Sequence, residues 1–317
     1  MADQVDFRPL NVTLRPQSPA LDAYASTAKV SSDVIAAGFN PRPDLDLTYR
    51  GGRTIKDLVF INCYLGGAKA WDHSDRTNID RALSHAMSDA DLEHVIGQYY
   101  SKPISSRALK SRVVAGAVGK RFFKDQAEAL AARLLADGVL GHADPGSSVI
   151  NLMLPRGVVL VDGNADGSEE KAAPHARSVL VDDEQVDSKH GLGGFHGSVH
   201  ADGTTVYYAV GVYSEGDNGI VAFDEPWKNV VATFYHELCE ARTDPDVEDV
   251  IRTGDESRLG WYSNKGGEIG DIPMSLAGAH LERVMVEAPL VKGGTAPVQL
   301  EWSNHVHGPE GPNHHPH

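Results

Sequence analysis

The sequence predicts an α/β domain, because short apolar runs bounded by glycine alternate with amphipathic helical patterns along the chain. A second observation concerns one of those helices, which carries metal-ligating residue types at helical spacing. The elements follow in order. Residues 1–48 are rich in Pro, Asp and Ser with little periodicity, and read as an extended arm laid over a domain spanning 49–304. "DLVFINCYLG" (57–66) is an apolar run of strand length ending in glycine, as a buried strand requires. From Asp75 onward Ile79, Leu83 and Met87 fall on one helical face, and Leu92, Val95, Ile96 and Tyr99 on the next. "FKDQAEALAARLLADG" (123–138) is the clearest helix: Phe123, Ala127, Leu130 and Leu134 line one side, and Gly138 stands where a left-handed cap would end it. "SVINLMLP", "GVVLVDG" (148–163), "SVLVDD" (178–183) and "TTVYYAVGVY" (204–213) read as strands, as do "RVMVEAPLV" and "VQLEW" near the end. The closing "HVHGPEGPNHHPH" (305–317) is a His-rich tail expected to be disordered.

Composition narrows the function classes. A formal net charge of −15 argues against a nucleic-acid or anionic-membrane surface, since both would repel the chain. Two cysteines, Cys63 and Cys239, exclude a disulfide framework, and Cys239 in a helical pattern reads as a buried thiol. No apolar h-region precedes the arm and no run reaches membrane-spanning length, so the expected location is the cytoplasm, with unconventional export left open. Composition says nothing of the oligomeric state.

The chemistry concentrates in "FYHELCEARTDPDVEDV" (234–250). Asp224 is the expected cap and Pro226 suits the first turn, while Val230, Phe234, Leu238 and Ala241 form the core-facing stripe. His236 and Glu240 are four apart and project from one face, so one divalent ion could take both. Glu237 would lean over the ion's open position as general base for a bound water. A catalytic ion needs a third protein ligand, and "GGEIGD" (266–271) is its expected source. Asp271 is favoured as ligand, Glu268 as ligand or orienter, and Asp244 as a residue that fixes the His236 ring or holds the following loop. Tyr262 and His280 are candidates to steady a tetrahedral intermediate, although His280, like His196, reads first as a hydrogen-bonded structural histidine. "DGNADG" (162–167) has the start of a calcium loop, but Ala173 occupies the twelfth position, so a polar turn is expected there.

"HELCEARTDP" (236–245), the Gly-Trp at 260–261 and "GEIGD" resemble bacterial proteins described as zincin-type metallopeptidases, and are similar to the plant phosphate-induced, Exordium-like family. Weaker echoes are "YRGG" (49–52), "GFHGS" (194–198) and "WSN" (302–304). The resemblance implies a zincin-like α/β (α+β) fold, a mixed sheet with an active-site helix, and zinc-dependent hydrolysis of a peptide or protein substrate. Position by position it brings His236, Glu237, Glu240, Asp244, Glu268 and Asp271 into the site. The bare H-E-x-x-E pattern also arises by accident in polar helices. A ligand set so rich in carboxylates leans toward harder ions. The alternative expectation is therefore a non-catalytic binding protein with a structural metal site, calcium being the candidate ion.

Overall fold

A computed structural model describes residues 34–166, 187–201 and 203–312. A six-stranded mixed sheet forms the middle layer. Its central strand, Asp57–Tyr64, runs parallel to Ser105–Ala108 and Arg112–Val113 on one side and to Ser148–Met153 on the other. Thr204–Gly211 continues the parallel order, and Gly194–Ala201 closes this end as an antiparallel edge strand. Alternate residues of the parallel strands face opposite cores. Phe60, Val149 and Tyr207 point to one, and Ile61, Ile150 and Tyr208 to the other. Both faces are thus buried, which explains why these strands read as continuous apolar runs.

Helices cover both faces. His73–Met87 and the long helix Pro226–Thr243 pack on the first core, with Ile79, Leu83, Val230, Phe234 and Leu238 as their contribution. Lys124–Ala136 packs on the second through Ala127, Ala131 and Leu134, and Gly138 follows it at φ +72°, the left-handed cap expected there. The Pro226–Thr243 helix also lies against the Thr295–Gln299 strand, which pairs antiparallel with Met285–Pro289. Phe234 seats this helix on the sheet at Gly211, where an added Cβ would approach Phe234 Cε2 to 2.9 Å.

Several elements differ from expectation. Leu47–Tyr49 is a strand paired with Trp261–Ser263, so residue 48 lies within one element and not at the end of an arm. Leu45 and Leu47 are buried, and their apolar side chains hold this part of the arm in the core. Gly308–Glu310, expected in a disordered tail, pairs with Glu301–Ser303 and is buried. The backbone hydrogen bonds of that hairpin order what composition alone would leave loose. Asp224 does not cap the long helix. Glu225 occupies the cap position without a side-chain hydrogen bond, and Asn229 instead accepts from the N–H groups of Ala222 and Phe223 at 2.9 and 2.8 Å. The Gly194–Ala201 strand was not foreseen, and by pairing with "TTVYYAVGVY" it makes that strand an interior one. "SVLVDD", Gly167 and Ala173 lie outside the described residues. No helix among the described residues is long and apolar enough to cross a membrane.

The seating of the long helix can be tested by truncation. Phe234, fully buried, should cost about 3–5 kcal/mol when changed to Ala, read as a lowered urea midpoint at unchanged slope. Val291→Ala, at a position 59% exposed, should stay within about 0.5 kcal/mol of the parent.

Candidate metal centre

The long helix delivers His236, Glu237 and Glu240 to the end of the edge strand. It stops at Thr243, with Asp244 as its C-terminal cap and Pro245 preventing continuation. His236 Nε2 stands 3.1 Å from Glu240 Oε2, as their spacing of one helical turn predicts. The ring is oriented from behind by Gln299. The amide of that residue donates to the Gly270 carbonyl at 2.7 Å, so its Oε1 faces His236 Nδ1 at 2.9 Å and must accept the Nδ1 hydrogen. Nε2 is left pointing at Glu240.

The "GGEIGD" segment meets the helix at the same place. The N–H groups of Gly270 and Asp271 donate to Glu240 Oε1 at 3.2 and 3.0 Å, and Asp271 Oδ1 comes to 3.9 Å from His236 Nε2. Gly266 and Gly267 turn the chain at φ +91° and +103°, conformations that L side chains rarely adopt. Gly270 has a different reason to be glycine. Its φ is ordinary, but a Cβ there would lie 2.4 Å from His236 Nδ1 and 3.0 Å from Glu240 Oε1. A hydrogen bond from Trp302 N–H to the Ile269 carbonyl at 2.8 Å ties the turn to the last hairpin.

His196, on the edge strand, joins the cluster from the other side. Its Nδ1 lies 3.4 Å from Glu237 Oε2 and 3.6 Å from Glu240 Oε2, and its Nε2 donates to the Asp244 carbonyl at 3.2 Å. Glu268 is buried, with Oε1 at 3.6 Å from His196 Nε2 and without a hydrogen-bond partner among the described residues. The sequence reading of His196 as a lone structural histidine is therefore incomplete, since its ring faces three of the cluster's carboxylates. Two groups of metal-ligating side chains result, His236–Glu237–Glu240 and His196–Glu240–Glu268, each with donor atoms within 4.8 Å of one another. These residues fit a divalent ion: two imidazoles and several carboxylates converge, and an otherwise orphaned buried oxygen points inward.

The remaining expected residues fall differently. Asp244 does not orient His236. Its Oδ1 accepts from the Gly260 N–H at 2.8 Å and so holds the following loop, while Oδ2 has no hydrogen-bond partner among the described residues. Tyr262 is half-buried, and the charges of Glu268, Asp271 and Asp244 add to burial in raising its pKa. His280 is exposed and pairs with Glu282 at 3.2 Å on a short 3-10 turn, with no hydrogen bond or ion pair to the cluster. Gln299 and Glu301 were missed. Glu301 is 2% exposed, neither of its oxygens has a hydrogen-bond partner among the described residues, and its charge acts on His236.

Burial governs the electrostatics. It pushes the carboxyl groups of Glu237, Glu268 and Glu301 upward, and that of Asp244 to about 7. Burial alone would pull the histidines down. The carboxylates overcome it, Glu240 for His236 and the hydrogen bond to Glu237 for His196, which rises to about 9. Glu240 is the exception among the buried carboxyls: burial raises it, but His236 and the other site contacts hold it below the ordinary range. The directions share one consequence: the cluster holds protons on its carboxyls and histidines, around a Glu240 carboxylate that stays ionised.

No family model, curated protein or solved structure gives a significant match to this chain.

Gln299→Leu keeps the volume but removes the acceptor behind His236 Nδ1. Loss of such an orienting hydrogen bond should weaken divalent-ion binding about 10–100-fold in a chelator competition titration. Gly270→Ala should weaken it at least as much, because the added methyl group occupies the space between His236 and Glu240.

Proposed function

We propose that this protein is a zinc-dependent hydrolase acting on peptide bonds. The observation that carries the reading is the approach of Glu240 Oε2 and Asp271 Oδ1 to His236 Nε2, at 3.1 and 3.9 Å, with Glu237 beside His236 on the long helix. Gln299 supports it by leaving only the Nε2 face of His236 for a ligand. His236 and Glu240 would hold the ion with Asp271, and Glu268 stands nearer His196. When bound, the ion supplies positive charge that acidifies water and polarises a carbonyl.

Glu237 then has the protons to move. Its carboxyl is buried and burial raises its pKa, so it is a stronger base than an exposed glutamate and suits a group that takes a proton from water and returns it to a leaving amine. The Asp271 side chain, 56% exposed, marks the side where the cluster meets solvent. The outer edge of Gly194–Ala201 pairs with no strand among the described residues, and an extended peptide added there would run past the cluster. Gly194 lets the strand itself lie close to Glu237, since a Cβ there would reach Glu237 Oε1 at 3.0 Å and the Val210 carbonyl at 2.6 Å.

A second reading, a closed structural metal site without catalysis, draws on the near-complete burial of Glu237, Glu240 and Glu268, at 3, 3 and 7% exposure. Calcium is the candidate ion of that reading, although the imidazole nitrogens suit zinc better.

Glu237→Gln separates the two readings. Bound zinc should persist while hydrolysis of a peptide library falls at least about a hundredfold, and a parent protein with bound ion but no hydrolysis would favour the structural site. Metal content also discriminates ligands from bystanders. His236→Ala and Glu240→Ala should each lose most of the ion. Glu248→Ala, whose carboxylate pairs with Lys124, should keep it. Added zinc should raise the unfolding free energy by about 2.7 kcal/mol at about 100 times its dissociation constant, read as a higher melting temperature.

A further inference from the structure

His196 is the part of the cluster that the hydrolase reading leaves unused. It lies opposite Ala209 in the register of the edge strand and is 3% exposed. Four acceptors ring it: Glu237 Oε2 and Glu240 Oε2 at 3.4 and 3.6 Å from Nδ1, the Asp244 carbonyl and Glu268 Oε1 at 3.2 and 3.6 Å from Nε2. A ring offers at most two N–H donors, and separations of 3.6 Å exceed a hydrogen bond. An ion bonds only one nitrogen of the ring, and one donor atom each from His196, Glu240 and Glu268 lies within 4.8 Å of the others, close enough for small side-chain adjustments to gather them round one ion. Glu268 Oε1 is the independent sign of a missing partner, being a buried oxygen with no hydrogen-bond donor among the described residues.

We propose that His196, Glu240 and Glu268 form a second divalent-cation position, joined to the first through the Glu240 carboxylate. The inference rests on the reading of His236 and Glu240 as ligands, and adds that Glu240 serves both groups. The two donor sets are distinct apart from that residue, with His236 and Glu237 in one and His196 and Glu268 in the other. One imidazole and two carboxylates, with the Asp244 carbonyl close by, suit a borderline ion such as manganese or zinc. Paired ions about 3.5–4 Å apart would let a peptide hydrolase hold the attacking water and the scissile carbonyl oxygen together.

The test is manganese stoichiometry in the full-length chain with His314, His315 and His317 changed to Ala, so that the tail takes up no ion. After equilibration with Mn2+ and removal of unbound ion, about two ions per chain are expected, with an exchange-coupled paramagnetic spectrum. His196→Ala and Glu268→Gln should each leave about one ion with an uncoupled spectrum, His236→Ala should also leave about one, and Glu240→Ala should leave almost none. Circular dichroism and a thermal melt of each variant check folding, and Glu268→Gln together with the parent stoichiometry decides the matter if His196→Ala unfolds. One ion per chain that is lost in His236→Ala but kept in His196→Ala and Glu268→Gln overturns the second position and leaves the first intact. One ion lost in both histidine variants makes His196 a ligand of a single shared ion, and likewise overturns the second position. No ion in the parent overturns the hydrolase reading as well.

Discussion

The carboxylate of Glu240 is the contact on which the centre depends. Its Oε1 accepts two backbone N–H groups from the "GGEIGD" segment, and its Oε2 faces His236 and His196. One side chain thus binds together the long helix, the turn thirty residues on and the edge strand. Being charged and buried, it makes strong hydrogen bonds to those N–H groups, about twice the strength of neutral ones. An Ala or Leu at this position would leave two amides and two imidazoles without their common partner, a larger loss than any one contact suggests.

Charge balance is the second constraint. Glu237, Glu240, Glu268 and Glu301 are buried near two imidazoles, with Asp271 at the rim. Each buried ion costs several kcal/mol of desolvation. A charge pair about 4 Å apart regains about 4 kcal/mol at an effective dielectric near 20, so the cluster tolerates as many anions as it has cations beside them. Without a metal ion, protons fill the deficit. Glu237, Glu268 and Glu301 rise because of burial, while both histidines rise because carboxylates outweigh burial around them. A divalent ion would do the same work with better geometry and would release those protons.

Much of this was legible in the residues, and what was not has identifiable causes. The parallel strands and the long helices follow from apolar period, which tertiary packing reinforces: Ile79, Leu83, Ala127 and Leu134 are buried where the period places them. His236 and Glu240 meet because helical spacing makes them meet. The approach of "GGEIGD" could be inferred only from its glycines and its resemblance, since no local rule joins residues 240 and 270. His196 was read as structural because a lone histidine in a strand gives no sign of what its strand lies beside. A signal for Gln299 and Glu301 was present in "VQLEWS" (298–303), where polar and apolar residues alternate, yet all six are buried. A polar face that is buried must point at something polar, but burial is not visible before the fold is known. Asp224 failed as a cap because Asn229 reached back to the same region from inside the helix.

The walls of the centre are made by close backbone approach. Gly270 brings one segment against His236 and Glu240, and Gly194 brings the edge strand against Glu237, each where a methyl group would collide. Side chains reaching across a wider gap would have more rotamers to choose from. Short distances between rigid elements leave these polar atoms little freedom, which is what the proposed ion site would need. The candidate donors come from residues 196, 236–240 and 268–271, and Gln299 orients one of them, so they meet only when the sheet, the helix and the last hairpins have assembled. An ion held here therefore cannot bind a local unfolded segment as it would in a zinc finger, whose ligands are close in sequence. Its binding energy would be added to the stability of the whole domain, and the opening of any one of those elements would release it.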